Sequence, residues 1–203
     1  MTINRLLRML PAVAVLAVLA CLTVAVAKMQ EPKPQAEANH FAKDGLSFDY
    51  PTGWALKDES TAQMQVLEFS RGDHIIRVRS PREWLKSPAK EAEAKKLIQD
   101  KYLNDFAEML RQGGLNPTRS PATSEFGGGP AEGSRLRAVL DGAPGGMDAF
   151  YRVISDRFVQ LSQIGSERDM AKFASAWDLI RKSIQVEPPP SPSSTPAPVK
   201  KNP

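Results

Sequence analysis

Leu46, Phe48 and Tyr50 alternate with Ser47 and Asp49, the period-two pattern of a half-buried strand. Pro51-Thr52-Gly53 punctuates that run, and Trp54-Ala55-Leu56-Lys57 resumes the alternation. Met64 to Ser70 and Ile75 to Arg79 predict two more strands, with Arg71-Gly72-Asp73 between them at hairpin-loop length. The period then changes. Ala94, Ile98, Tyr102, Phe106 and Met109 recur at spacings of four and three, which predicts one long helix with a single buried stripe. Ser87 caps it, Pro88 suits its first turn and Gly113-Gly114 ends it.

A stretch rich in glycine and proline follows and reads as a loop. Beyond it, Ser134 to Leu140, Met147 to Ser155 and Arg157 to Ile164 predict three strands, the first two joined through Gly142 to Gly146. A last helix starts at Ser166, with Asp169 three residues on in the arrangement of a capping box. Met170, Phe173, Trp177, Ile180 and Ile184 then keep helical spacing, the clearest periodicity in the chain. Strands, helix, strands, helix with tight connections predict an α+β domain: an antiparallel sheet flanked by two helices.

Two flanks lie outside this pattern. Residues 1–8 carry Arg5 and Arg8 and no acid, and from Met9 to Ala27 every residue is apolar or small except Thr23. That is the layout of an export signal. Ala25-Val26-Ala27 supplies a small-x-small site for cleavage after Ala27, while the length of the run equally suits an uncleaved anchor over residues 9–27. Lipidation at Cys21 fits less well, because Leu19 is bulky where a small residue is usual. The expected organisation is therefore a signal peptide or membrane anchor over 1–27, a polar linker over 28–39, the domain over 40–187, and a tail over 188–203. From Glu187 onward seven of 17 residues are proline and only Val199 is a sizeable aliphatic, so the tail reads as disordered. The expected location is extracytoplasmic: periplasmic, secreted, or held at the membrane.

The opening GLSFDYPTGW and the closing FASAWDLIRKSIQV, in this order of elements, resemble the PsbP-like superfamily. That group includes the extrinsic oxygen-evolving subunit of photosystem II, a Ran-binding nuclear import factor and many bacterial exported proteins. The resemblance covers roughly residues 41–186. It implies an α/β/α sandwich and a non-catalytic binding role, without implying a common ligand. The export signal matches the bacterial exported branch.

Composition narrows the chemistry. The formal charge is +4, and it falls to +2 once Arg5 and Arg8 are set aside, too small a surplus for a nucleic-acid partner. Cys21 is the only cysteine, so the domain has neither disulfide nor thiol chemistry. The histidines are His40 and His74; Asp73-His74 reads as turn chemistry, and no third ligand at sensible spacing suggests a metal. There is no Gly-x-Ser-x-Gly elbow, and neither Gly127-Gly128-Gly129 nor Gly142 to Gly146 leads into Lys-Ser or Lys-Thr as a phosphate loop would. Arg71-Gly72-Asp73 is explained as a hairpin turn without a receptor.

No catalytic residue, cofactor or metal ligand is assigned. Among the strand arginines, Arg77 and Arg79 share one face and Arg135 and Arg137 another. If their strands are neighbours, the four form an anion- or partner-binding surface; otherwise they are charged residues wetting and guarding a sheet face. Trp54 and Trp177 read as core aromatics, while Trp84 is the least obviously buried. The leading expectation is an exported, non-catalytic module, membrane-tethered where residues 9–27 are retained, that binds a protein or small ligand outside the cytoplasm. The alternative is a small extracytoplasmic hydrolase with a loop-borne site, which requires a nucleophile bonded to His40 or His74.

Overall fold

The computed structural model describes residues 37–140 and 142–188. The expectations for residues 1–27, for most of the linker and for nearly all of the proline-rich tail lie outside the described residues. The domain holds β1 (Ala38–Lys43), β2 (Leu46–Pro51), β3 (Ala55–Asp58), β4 (Met64–Arg71) and β5 (His74–Pro81). A helical stretch follows: α1 (Pro88–Ala94), a π-helical segment (Lys95–Asp100) and α2 (Lys101–Gln112). Then come β6 (Thr118–Phe126), β7 (Gly129–Leu140), β8 (Ala143–Ile154), β9 (Arg157–Ser166), α3 (Glu167–Lys172), α4 (Ala174–Ser183) and β10 (Gln185–Val186).

Seven strands form one antiparallel sheet in the order β3-β4-β5-β9-β8-β7-β6. The other three form a small sheet, β1-β2-β10. Alternation along the strands sends side chains to two separate cores. One lies against the small sheet and α4 and holds Leu46, Phe48, Phe69, Val78, Leu161, Trp177 and Ile180. The other lies against α2 and holds Leu103, Ala107, Leu110, Leu136 and Met147, with Ile98, Tyr151 and Phe158 forming its continuation beside the π-helical segment. Helices on both faces of an antiparallel sheet make this the α+β sandwich that the sequence predicts.

Four differences from the sequence-based expectation have physical reasons. β1 begins at Ala38, inside the stretch expected to be linker; its residues are nearly all exposed and so carry no alternation. β6 replaces the expected loop, because it is an edge strand whose first four residues are all exposed. The closing helix is two helices broken at Phe173 (φ −102°, ψ 17°), although Ser166 caps the first as expected by accepting from the Asp169 amide at 3.0 Å. The long helix does start at Ser87, whose hydroxyl accepts from the Lys90 amide, but it is not one regular stripe. The buried aliphatics run Ile98, Leu103, Ala107, Leu110, a step of five and then steps of four and three. Met109, at the end of the expected stripe, is 54% exposed.

The step of five is the π-helical segment. The Lys101 amide donates to the Lys96 carbonyl, five residues back. Within the segment the Ile98 carbonyl is claimed from the sheet, by Arg79 Nη1 at 3.3 Å and Gln160 Nε2 at 3.4 Å. Gln99 inserts into the core instead of facing water, donating to the Ala149 carbonyl at 2.8 Å and accepting from Gln160 Nε2 at 2.6 Å. Buried amides must be paired. An extra residue in this turn lets Ile98 and Gln99 both reach the sheet, and the segments on either side are rotated accordingly.

Candidate functional site

Between the π-helical segment and the neighbouring stretches of β6, β7 and β8 the packing is incomplete. A cleft of about 580 Å³ results, lined by Lys95, Gln99 and Asp100 from the π-helical segment, Arg119 and Thr123 from β6, Glu132 and Ser134 from β7, and Tyr151 from β8. Single-turn π-helical departures occur frequently at functional sites, where they re-aim the residues beside them. Here Lys95 and Asp100 are the residues so placed, at the two ends of the segment.

The cleft carries both signs of charge. Tyr151 forms its floor, stacked on Phe158 with centroids 5.2 Å apart. Its hydroxyl donates to Glu132 Oε2 at 2.8 Å, and Lys95 Nζ stands 5.5 Å from the ring centroid. Burial, and then the hydrogen bond to Glu132, push the Tyr151 phenol well above its usual range, so it stays a proton donor at any physiological pH. On the opposite wall Arg119 is held by three acceptors: Ser134 Oγ at 3.1 Å, Asn104 Oδ1 at 3.1 Å and Asp100 Oδ1 at 3.2 Å. Lys95, the Arg119–Asp100 ion pair and the Glu132 carboxylate beside an aromatic ring can orient a small polar ligand that bears both charges.

The four arginines singled out from the sequence do not meet. β9 and β8 lie between β5 and β7, so the condition for one shared surface is not fulfilled. Arg77 and Arg79 face α2: Arg77 pairs with Glu68 and donates to Tyr102 Oη at 3.0 Å, and Arg79 lies 4.7 Å from the Tyr102 ring centroid. They tie the helix layer to the sheet. Arg135 and Arg137 lie on the opposite face, where Arg137 Nη2 donates to Asp148 Oδ1 at 2.5 Å and reaches Glu167 at 3.5 Å, and Arg135 approaches Asp148 at 3.9 Å. These charges are met by acids within the fold.

The histidines are placed as follows. His40 Nδ1 meets Asp49 Oδ1 at 2.7 Å on the exposed face of the β1–β2 pair. Ser183 Oγ bonds the Asp49 backbone, not the imidazole. His74 is fully buried between Trp54 and Phe173. Among the described residues no serine, threonine or cysteine bonds either ring, and no group of three His, Cys, Asp or Glu side chains is disposed to hold a metal. Trp84 is half-buried, with the Arg157 guanidinium 6.0 Å from its ring centroid. Arg71-Gly72-Asp73 is the β4–β5 turn, Gly72 taking the left-handed φ of +61° that a side chain would resist.

Lys95, Gln99, Asp100, Arg119, Glu132 and Tyr151 are not legible as a site in the sequence. The signal that could find them is Gln99 next to Ile98, followed by an apolar step of five to Leu103, with Gln160 the polar break in the β9 pattern.

No protein-family model matches the chain, and no curated protein matches it. Its structure is similar to the solution structure of cyanobacterial PsbP (CyanoP) from Synechocystis sp. PCC 6803, at 14% sequence identity and a TM-score of 0.47, over 77% of this chain and 96% of that one.

Proposed function

We propose that this chain works outside the cytoplasm as a non-catalytic binding module, and that the cleft beside the π-helical segment is its binding site. The observation that carries the reading is the cleft's make-up: Lys95, the Arg119–Asp100 ion pair and Glu132 line it together with the Tyr151 ring. The charged-then-apolar N-terminus supports the location, with residues 9–27 holding the domain at the membrane where they are retained. The ligand is a small polar molecule with both charges, or a protein surface presenting such a pair. Its negative group is met by Lys95, which enters no ion pair among the described residues, and its positive group by Glu132 and Asp100. A thermal-shift screen of small zwitterions tests this. A stabilising compound is expected with the unsubstituted protein and is expected to lose its effect with Lys95→Glu. A compound that stabilises both proteins equally binds elsewhere and overturns the assignment of the site.

A further inference from the structure

We propose that β6 is a dimerisation edge, at which a second copy of this chain pairs antiparallel across a twofold axis through Ala122. β6 ends the seven-stranded sheet, so one side of its backbone has no neighbouring strand among the described residues. Proline fits such a strand only where its nitrogen points away from the inner neighbour. Pro121 pairs with Ser134 of β7, so its nitrogen faces outward, and the alternation of backbone groups turns Arg119, Thr123 and Glu125 outward with it. Arg181 Nη1 donates to the outward Glu125 carbonyl at 2.9 Å, which leaves the Glu125 amide and the second lone pair of that oxygen for a partner.

The sequence of the strand selects the partner and the register. With Ala122 opposite its own copy, Ser120 falls opposite Ser124, Pro121 opposite Thr123, and Arg119 opposite Glu125. Residues directly opposite in an antiparallel pair share a sheet face. Arg119 and Glu125 therefore meet on one face, twice over by symmetry, and the exposed Glu125 carboxylate has no cation partner among the described residues. A slip by two residues in one direction sets Pro121 against Pro121, with no donor on either side; in the other it sets Arg119 against Gly127. Parallel pairing would bring like charges together. Proline and charge on an edge block indiscriminate pairing, and here the same residues leave one favoured register. The partner strand would also stand beside Pro121, Ala122 and Thr123, the outer wall of the cleft. The interface is nevertheless independent of whether the cleft binds a ligand.

The test uses the full chain in the cell envelope with Cys21→Ser as background. Ala122→Cys is expected to form a disulfide dimer on mild oxidation, because non-hydrogen-bonded opposite positions bring Cα atoms to about 4.5 Å. Ser120→Cys alone is expected not to cross-link, and to do so only when co-expressed with Ser124→Cys. Adding Glu125→Arg to Ala122→Cys is expected to lower cross-linking to the Ser120→Cys level, and Arg119→Glu on top of it to restore the dimer. Sedimentation of the chain without the Ala122 change, in detergent, provides a second readout: a dimer mass that Glu125→Arg converts to monomer. Equal cross-linking of Ala122→Cys and Ser120→Cys, no restoration by the charge exchange, or a monomer mass for the unsubstituted chain each overturns the proposal.

Discussion

Arg157 donates from Nη1 to the Asp44 carbonyl at 2.6 Å, joining β9 of the large sheet to the β1–β2 turn 113 positions away in sequence. The same guanidinium bonds the Pro81 carbonyl through Nε at 2.9 Å and the side chain of Gln65 through Nη2. Arg157 is 1% exposed, and its charge is spread over backbone and amide acceptors while the Asp44 carboxylate pairs with Arg82. This one side chain therefore fastens the small sheet, β4 and β5 together.

Arg157→Leu fills much of the volume but strands those acceptors. Each stranded buried acceptor costs about 1–3 kcal/mol. Urea unfolding of the variant is expected to show a clearly lower midpoint with an unchanged slope. An unchanged midpoint would mean that water replaces the guanidinium without loss.

His74 gives the domain a pH dependence. Its ring packs edge-on to Trp54 at 5.7 Å and against Phe173 at 5.5 Å, and neither ring nitrogen has a hydrogen-bond partner among the described residues. Burial pulls its pKa below the ordinary 6.5, opposed only in part by Asp169. The unfolded chain therefore takes up a proton near pH 6.5 that the folded chain refuses. This contribution leaves stability unchanged above that pH and lowers it progressively as pH falls below 6.5, down to the folded-state value. Melting temperature is expected to fall more steeply between pH 6.5 and 5 for the unsubstituted protein than for His74→Leu. Parallel curves would show that His74 is not the titrating group.

Trp177 tests the packing of α4 on the sheet. It is 8% exposed, on the face that α4 turns to the core shared with Phe150. Trp177→Ala is expected to cost about 3–5 kcal/mol, a large part of the ~5–15 kcal/mol that stabilises a typical domain. A melting temperature within error of the unsubstituted protein would contradict that placement.

Elements with one wet and one buried face are readable in the sequence. β2, β4 and β5 follow their alternation, and Met170, Trp177, Ile180 and Ile184 are buried as their spacing predicts. β1 and β6 are not readable, because an edge strand with exposed residues writes no period-two pattern. The cleft is hidden for a different reason: its geometry depends on a helix held out of 3.6-residue register by Gln99, Gln160 and Arg79. Those contacts span 19 to 62 positions and leave no local trace beyond a polar residue in an apolar stripe. The arginines share faces in the pairs that strand periodicity predicts, but strand order, which no local pattern encodes, sends the pairs to opposite faces.

Export is tested apart from the fold. With Arg5 and Arg8 ahead of an uncharged apolar run, alkaline phosphatase fused after Pro203 is expected to be active in a bacterial host. An inactive but intact fusion would place the domain in the cytoplasm.

The central claim is that the cleft at the π-helical segment is where this module binds. Hydrogen exchange of the chain, measured with and without its own envelope extract, reads that site whatever the ligand is. The expected result is slower exchange confined to residues 95–100, 119–123, 132–134 and 151, lost in Lys95→Glu. Protection that maps to other surfaces, or that persists unchanged in the variant, would contradict the claim.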